Sequence, residues 1–407
     1  MIVILFDFNA TSVANEISAN LLNTFYKNIT IEMVDAASAK LWPSVASWDD
    51  LLLVVYQGGN FPAEGNQFIE KFIAERGDKA LILPVAVDLS APQPPQAAAM
   101  IKALPYDIAA KGIDGRLVSR TGGMLGLRLQ ARESKIFISY RAVDGSKIAK
   151  QLHSHLESLG YIPWLDEAIE LDGHTAILPG SPVQAQIDSA LETASLVLLL
   201  DTPSAPQSIW IRHEVDTADA MLVPILPVCF RNADDSKIGP RFRSLVALQR
   251  WISMPNPSMS LDLPLSLNQL DDIVQEVEKY LCEIFRRKCR VPFIVENEFV
   301  AKGYEWSVRD KAHLMFESSK SGGRVRTRII SHCSIFDQIY GPAITHFRRF
   351  VDTAGSLNYS LFIYDGDLLT RIELEDVVDD HDGKVIVLHH QELSSLIASN
   401  FSNLGSV

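Results

Sequence analysis

The chain has 407 residues, 47% hydrophobic and 21% charged, which is long enough for two or three domains and too apolar for extended disorder. Its 37 Lys and Arg against 50 Asp and Glu leave a net charge of -13, which argues against a nucleic-acid coat or an anionic membrane as the main partner. The four cysteines (Cys229, Cys282, Cys289, Cys333) show no paired CxxC spacing, which fits a reducing cytoplasm and argues against a structural zinc.

The opening "MIVILFDFNATSVANE" has no basic leader and turns acidic at Asp7, so it reads as a first strand rather than a signal peptide. No apolar run approaches the ~20 residues of a membrane span. Continuously apolar runs at 3–8, 31–36, 51–56 and 81–87 form one series, and runs at 135–140, 161–166, 196–201 and 223–230 form another. Such runs suit strands buried on both faces of a parallel sheet. The stretches between them, such as "SKIAKQLHSHLESLG", carry helical spacing and end at glycine. The pattern is doubly wound α/β, seen twice. The two series share order, approximate spacing and an "ILPV", so they read as tandem flavodoxin-like parallel-sheet domains; one large sheet is the alternative. The second copy is longer ahead of its third strand, where "DEAIELDGHTAILPGSPVQAQ" adds a Gly- and Pro-punctuated loop of the length that usually serves function.

"RTGGMLGLRLQARES" (120–134) and "ISMPNPSMSLDLPL" (252–265) read as boundaries, giving domains at 1–120, 134–252 and 266–407. A helix is expected over 266–290: Ser266 and Gln269 form a capping box, Leu267, Leu270, Val274, Val277 and Leu281 share a face, and Arg286 to Arg290 suit the negative pole of the dipole. The remainder mixes strands ("YSLFIYD", "KVIVLH") with short helices, a mixed α/β or α+β module.

"SIWIRHEVDTADA" (208–220) places Trp210 four residues before Glu214, on one helical face, just past a buried strand. A carboxylate beside an aromatic near the C-terminal end of a parallel strand points to a small-molecule site. With "FISYR" (137–141), "WLDE" (164–167) and "SPVQAQIDSALETAS" (181–195) in this order, residues 134–250 resemble a TIR (Toll/interleukin-1 receptor) domain of the bacterial kind. The resemblance implies cleavage of NAD+ between nicotinamide and ribose, by hydrolysis or with cyclisation of the ADP-ribose, with Glu214 as the catalytic glutamate of W-x-x-x-E. NAD+ is then substrate, with no cofactor and no metal. The chemistry suits one carboxylate: the leaving group departs neutral, and the ribose gathers positive charge that a fixed anion stabilises.

Ser139, Tyr140 and Arg141 leave the first strand of this domain where open sheets bind ligands, so a ring and a guanidinium there could hold the nicotinamide side and a phosphate. Trp164 either stacks on adenine or fills core, and Asp166 enters the long loop. Trp210 packs while shaping the pocket floor, and His213, on another helix face, is solvated. The resemblance further implies self-association, with the loop at 166–186 meeting a neighbouring protomer, and a cytoplasmic antiphage effector whose C-terminal domain answers an activating ligand or protein. A non-catalytic TIR scaffold is the alternative, and a nucleotide-processing transferase a weaker one. The first copy sets Asp7, Phe8 and Asn9 opposite Ser139, Tyr140 and Arg141 and has no W-x-x-x-E, although Phe68 could take the tryptophan's place, so it reads as a degenerate, non-catalytic TIR-like domain. "RRKCR" (286–290), "KSGGRVRTR" (320–328) and "HFRR" (346–349) read as solvated basic faces before any phosphate or nucleic-acid site. "DDHDG" (379–383) and the histidines at 389–390 read as a turn and a strand end.

Overall fold

The computed structural model describes residues 1–39, 50–58, 61–77, 80–87, 93–106, 115–127, 135–165, 182–220, 223–231, 239–242, 251–255, 264–310, 315–322, 325–334, 359–365, 386–399 and 401. They fall into two compact units, one of Met1–Thr24 with Thr30–Glu283 and one of Phe25–Ile29 with Ile284–Val407.

In the first unit, β1 (Ile2–Phe6), β2 (Ile31–Asp35), β3 (Leu51–Tyr56), β4 (Leu81–Ala86) and β5 (Leu104–Pro105) form a parallel sheet in the order β2-β1-β3-β4-β5. Helices α1 (Thr11–Thr24), α2 (Ala63–Arg76) and α3 (Arg116–Gly126) accompany it. The second sheet contains β6 (Lys135–Ser139), β7 (Ile162–Trp164), β8 (Ala194–Asp201), β9 (Ile225–Arg231) and β10 (Ile252–Pro255), again all parallel. Its order is β7-β6-β8-β9-β10, so second, first, third, fourth and fifth strands lie side by side in both sheets. The connecting helices are α4 (Ala142–Ser158), α5 (Pro182–Thr193) and α6 (Ile209–Ala220). The apolar runs do become central strands: every residue of β3, β4, β8 and β9 is buried. One core holds Val3, Leu5, Leu52 and Val54 with Phe68 and Phe72; the other holds Phe137, Val197 and Leu199 with Leu191, Ile211 and Val215.

Both expected boundaries are corrected in part. Residues 120–126 belong to α3, and Arg120 through Gly126 are all buried there; 128–134 lie outside the described residues. The glycines read as breakers instead permit close approach: a Cβ on Gly126 would stand 2.5 Å from the Leu281 carbonyl oxygen, and one on Gly123 would stand 3.1 Å from Glu278 Cα. Gly126→Ala gains helix propensity of about 1 kcal/mol but must push that carbonyl aside, so a net loss of about 1–3 kcal/mol is expected in a denaturant titration. An unchanged midpoint would contradict the packing. Likewise 252–255 is not linker but β10, because Ile252 and Met254 alternate into the core beside β9.

Helix α7 (Leu267–Ala301) opens on the expected capping box, with Gln269 N donating to Ser266 Oγ (3.3 Å) and Ser266 N to Gln269 Oε1 (3.0 Å). Leu270, Val274, Val277 and Leu281 are buried, but Leu267 is exposed, being the first helical residue and short of the packed face. Residues 267–283 belong to the first unit rather than to a C-terminal domain starting at 266. The helix also runs past Arg290 and Pro292, because Val291, Val295 and Phe299 prolong the buried stripe. The basic run thus sits mid-helix and caps no dipole.

In the second unit α7 packs these residues on a sheet ordered β11 (Glu305–Asp310), β12 (Met315–Gly322), β13 (Val325–Ser334), β14 (Tyr359–Tyr364), β15 (Ile386–His389). The first three strands are antiparallel, and β13, β14 and β15 run parallel. Phe25–Ile29 joins this unit: the Phe25 ring meets Phe285 edge-on at 5.0 Å, Arg286 donates to the Tyr26 hydroxyl (2.8 Å), and Asn28 Nδ2 donates to the Cys289 carbonyl (2.7 Å). The basic clusters are partly consumed by such contacts, since Arg328 and Arg309 both bond Glu317 and Lys320 reaches the Lys302 carbonyl. The Arg328 hydrogen bond, aided by Arg309 against burial, holds the Glu317 carboxyl below its usual range. Its contribution is therefore present above the unfolded carboxylate pKa and fades as pH falls through the lowered folded value. "HFRR" and "DDHDG" lie outside the described residues, and His389 Nδ1 accepts from Gln391 N in a local cap.

Candidate functional site

The order β7-β6-β8 makes the gap between β6 and β8 the place where the chain changes direction across the sheet, and open α/β sheets bind ligands at such strand ends. Ser139 is the last residue of β6, in register with Leu199 of β8. Helix α6 approaches the same end. Its Ile211, Val215 and Ala218 enter the core, Arg212, His213 and Asp216 face out, and Glu214 falls with the buried set at 5% exposure. A carboxylate there must be compensated, and Ser139 Oγ, itself buried, donates to Glu214 Oε2 at 2.6 Å.

The neighbouring positions were expected to touch ligand, and the structure gives several of them structural contacts. Tyr140 is buried, and a Cβ on Gly145 would meet its Cβ at 3.2 Å. Arg141 Nη1 donates to the Ser204 carbonyl (2.5 Å) and to Gln207 Oε1 (3.0 Å). Trp164 stacks on Phe137 with centroids 4.7 Å apart and packs against the core cluster, which favours the core alternative for that ring. Trp210 is half-buried in the first turn of α6. His213 is exposed, as expected, with Nε2 3.0 Å from Asp188 Oδ1. Asp166 and the rest of 166–181 lie outside the described residues.

Sequence reading missed two carboxylates here. Asp144, in the first turn of α4, accepts from Thr202 Oγ1 (2.7 Å) and Ser204 N (2.9 Å). Asp201, at the end of β8 and fully buried, accepts from Arg231 Nη2 (2.7 Å) and Arg241 N (3.0 Å). Those two arginines also collect the carbonyls of Asp201, Phe230 and Gly239, closing the end of β9. Beside them burial, and next the Asp201 charge, push the Cys229 thiol up to about 12, so it stays protonated and is no nucleophile. An aspartate ending an apolar run, and an arginine ending another, were the signals available.

At the end of β1 the arrangement is different. Asp7 spends both carboxylate oxygens on backbone, accepting from Ala10 N and Gln57 N at 2.9 Å each, while Phe8 stands 82% exposed. Phe68, the candidate counterpart of the tryptophan, is buried in that domain's core.

Comparison with known proteins agrees with the second sheet. The TIR domain family model matches residues 136–258. No curated protein sequence matches the chain. Similar solved structures include the TIR domains of the activated Roq1 resistosome directly recognizing the pathogen effector XopQ, 13% identical, covering 37% of this chain and 84% of that chain with a TM-score of 0.20. A candidate phosphosugar isomerase from Silicibacter pomeroyi DSS-3 is also 13% identical, covering 70% of this chain and 85% of that one with a TM-score of 0.21. Likeness at this level says nothing about activity. Among the described residues no helix is long and apolar enough to cross a membrane. The family match, with its five parallel strands in place, makes residues 136–258 of this chain a TIR domain.

Proposed function

We propose that this TIR domain cleaves NAD+ at the nicotinamide–ribose bond, with Glu214 as the catalytic carboxylate. The observation that carries the reading is the buried Glu214 side chain held by Ser139 Oγ at the end of β6, the strand end where ligands of such sheets bind. In the reaction the C1′–N bond breaks, its electron pair leaves with neutral nicotinamide, and positive charge develops on the ribose. Glu214 stabilises that charge from a fixed position, and no general acid is required. Water then adds at C1′ and gives up a proton to solvent to form ADP-ribose, or an adenine nitrogen of the same molecule adds and closes the ring. Ser139 fixes one oxygen of the carboxylate.

Activation by self-association, a trigger acting on the second unit (Ile284–Val407 with Phe25–Ile29) and an antiphage role in the cytoplasm belong to the same proposal and rest on the family resemblance. The test is release of nicotinamide from NAD+ by the purified full chain, run dilute and then at high protein concentration with a crowding agent. Release that rises faster than protein concentration, and that Glu214→Gln lowers by about 100- to 1000-fold, is the expected result. No release under any of these conditions would overturn the reading in favour of a TIR scaffold. The ratio of ADP-ribose to cyclic product assigns depletion or signalling.

A further inference from the structure

Glu214 reaches the site on a helix whose starting point is held from the outside. Between β8 and α6 the chain passes through Thr202, Ser204 and a single 3-10 turn, Ala205–Gln207, before Ser208 Oγ accepts from Ile211 N (3.3 Å). The first turn of α4 grips this connection. Asp144 takes the Thr202 hydroxyl on one oxygen and the Ser204 N–H on the other, while Arg141 takes the Ser204 carbonyl and the Gln207 side chain. Both backbone polar groups of Ser204 are therefore bonded to side chains three residues apart on another element. Behind the bracket Gly145 packs closely: a Cβ there would stand 3.2 Å from Tyr140 Cβ, tighter than an ordinary contact, and 3.8 Å from Thr202 Cγ2.

We propose that Asp144, with Arg141, is a positioning residue: the bracket on Ser204 sets where α6 starts, and so where the Glu214 carboxylate stands relative to the end of β6. The inference rests on the NAD+ reading for its catalytic consequence, though the bracket itself is testable without it. A helix is stiff and rises about 1.5 Å per residue, so displacement at Ser208 is carried along to Glu214 rather than absorbed. Misplacing a catalytic group by about 1 Å costs on the order of 100-fold in rate. Arg141 thereby acts through the protein's own backbone instead of on a phosphate.

The experiment compares the full chain with Asp144→Ala, Thr202→Val and Thr202→Ser, by hydrogen exchange of the backbone amides over 202–214 and by kcat and KM for NAD+. Faster exchange confined to that segment in Asp144→Ala is expected, with kcat about 100-fold lower and KM little changed, because ground-state contacts are untouched. Thr202→Val should lose about tenfold, and Thr202→Ser, which keeps the hydroxyl, should restore wild-type kcat. Unchanged exchange in Asp144→Ala, or wild-type kcat despite faster exchange, would overturn the proposal. Faster exchange in a chain whose wild type cleaves no NAD+ would remove the NAD+ reading and leave the bracket standing.

Discussion

Glu214→Gln is expected to lower kcat for NAD+ cleavage by about 100- to 1000-fold, the loss seen when one preorganised electrostatic partner of a transition state is removed. Glutamine keeps the length of the side chain and one carbonyl oxygen able to accept from Ser139 Oγ, so the fold should lose little. On the proposed NAD+ reading, what disappears is the negative charge opposite the ribose as its bond to nicotinamide breaks. The measurement is single-turnover nicotinamide release, paired with a denaturant titration to show that the variant is folded. A variant with wild-type turnover would exclude this glutamate as the source of rate. One that loses turnover only because it unfolds would show Glu214 to be a buried structural acid.

Glu278→Gln should cost stability instead, on the order of 3–5 kcal/mol, because it strands a charge. Arg120 Nε donates to Glu278 Oε1 at 2.6 Å and the Tyr161 hydroxyl donates to the same oxygen at 3.0 Å. Arg120 is 1% exposed and Glu278 fully buried. Burial, the largest single influence, pulls the Arg120 pKa down, but the charge and hydrogen bond of Glu278, together with Tyr161 and Asp271, outweigh it and hold the guanidinium above its ordinary value. Burial, and then Glu278, raise the Tyr161 hydroxyl well above its own. Removing the carboxylate charge takes from the buried guanidinium the counter-charge it is bonded to. The denaturant midpoint should drop steeply in Glu278→Gln and recover much of the loss when Arg120→Met is added, since the stranded buried charge goes with the arginine. A double variant as unstable as the single one would mean that the contact supplies geometry and not merely charge balance.

The strands were legible because their burial is two-sided, and a run such as "LVLLLD" has no other stable place in an α/β fold. Helix α3 was not, because its glycines, read one at a time, signal a break; their role appears only against the Glu278 and Leu281 backbone, more than 150 positions away by the numbering. The end of α7 was misplaced for a related reason: the basic run Arg286 to Arg290 suited a helix end, but Val291 and then Val295 and Phe299 carry the buried stripe past Pro292 and outweigh one lost hydrogen bond. At the site, Glu214 stood out by motif and also lies on the stripe of Ile211, Val215 and Ala218, where a carboxylate needs a reason to be. Ser139 was flagged too, but as a ligand contact; its bond to Glu214 spans 75 positions and leaves no local pattern. Asp144 and Thr202 escaped because a threonine and an aspartate at helix and strand ends ordinarily serve turns.

The contact between α3 and the first half of α7 decides how this TIR domain can be cut out of the chain. A fragment ending at 258, where the family match ends, keeps β10 but discards Leu270, Val274, Val277 and Leu281, opening a greasy face that invites aggregation. Starting at 135 discards Arg120 and leaves Glu278 and Tyr161 sharing a buried negative charge. A compact piece must therefore keep both flanking helices, and the unit that holds them also takes in the first sheet, as Met1–Thr24 with Thr30–Glu283.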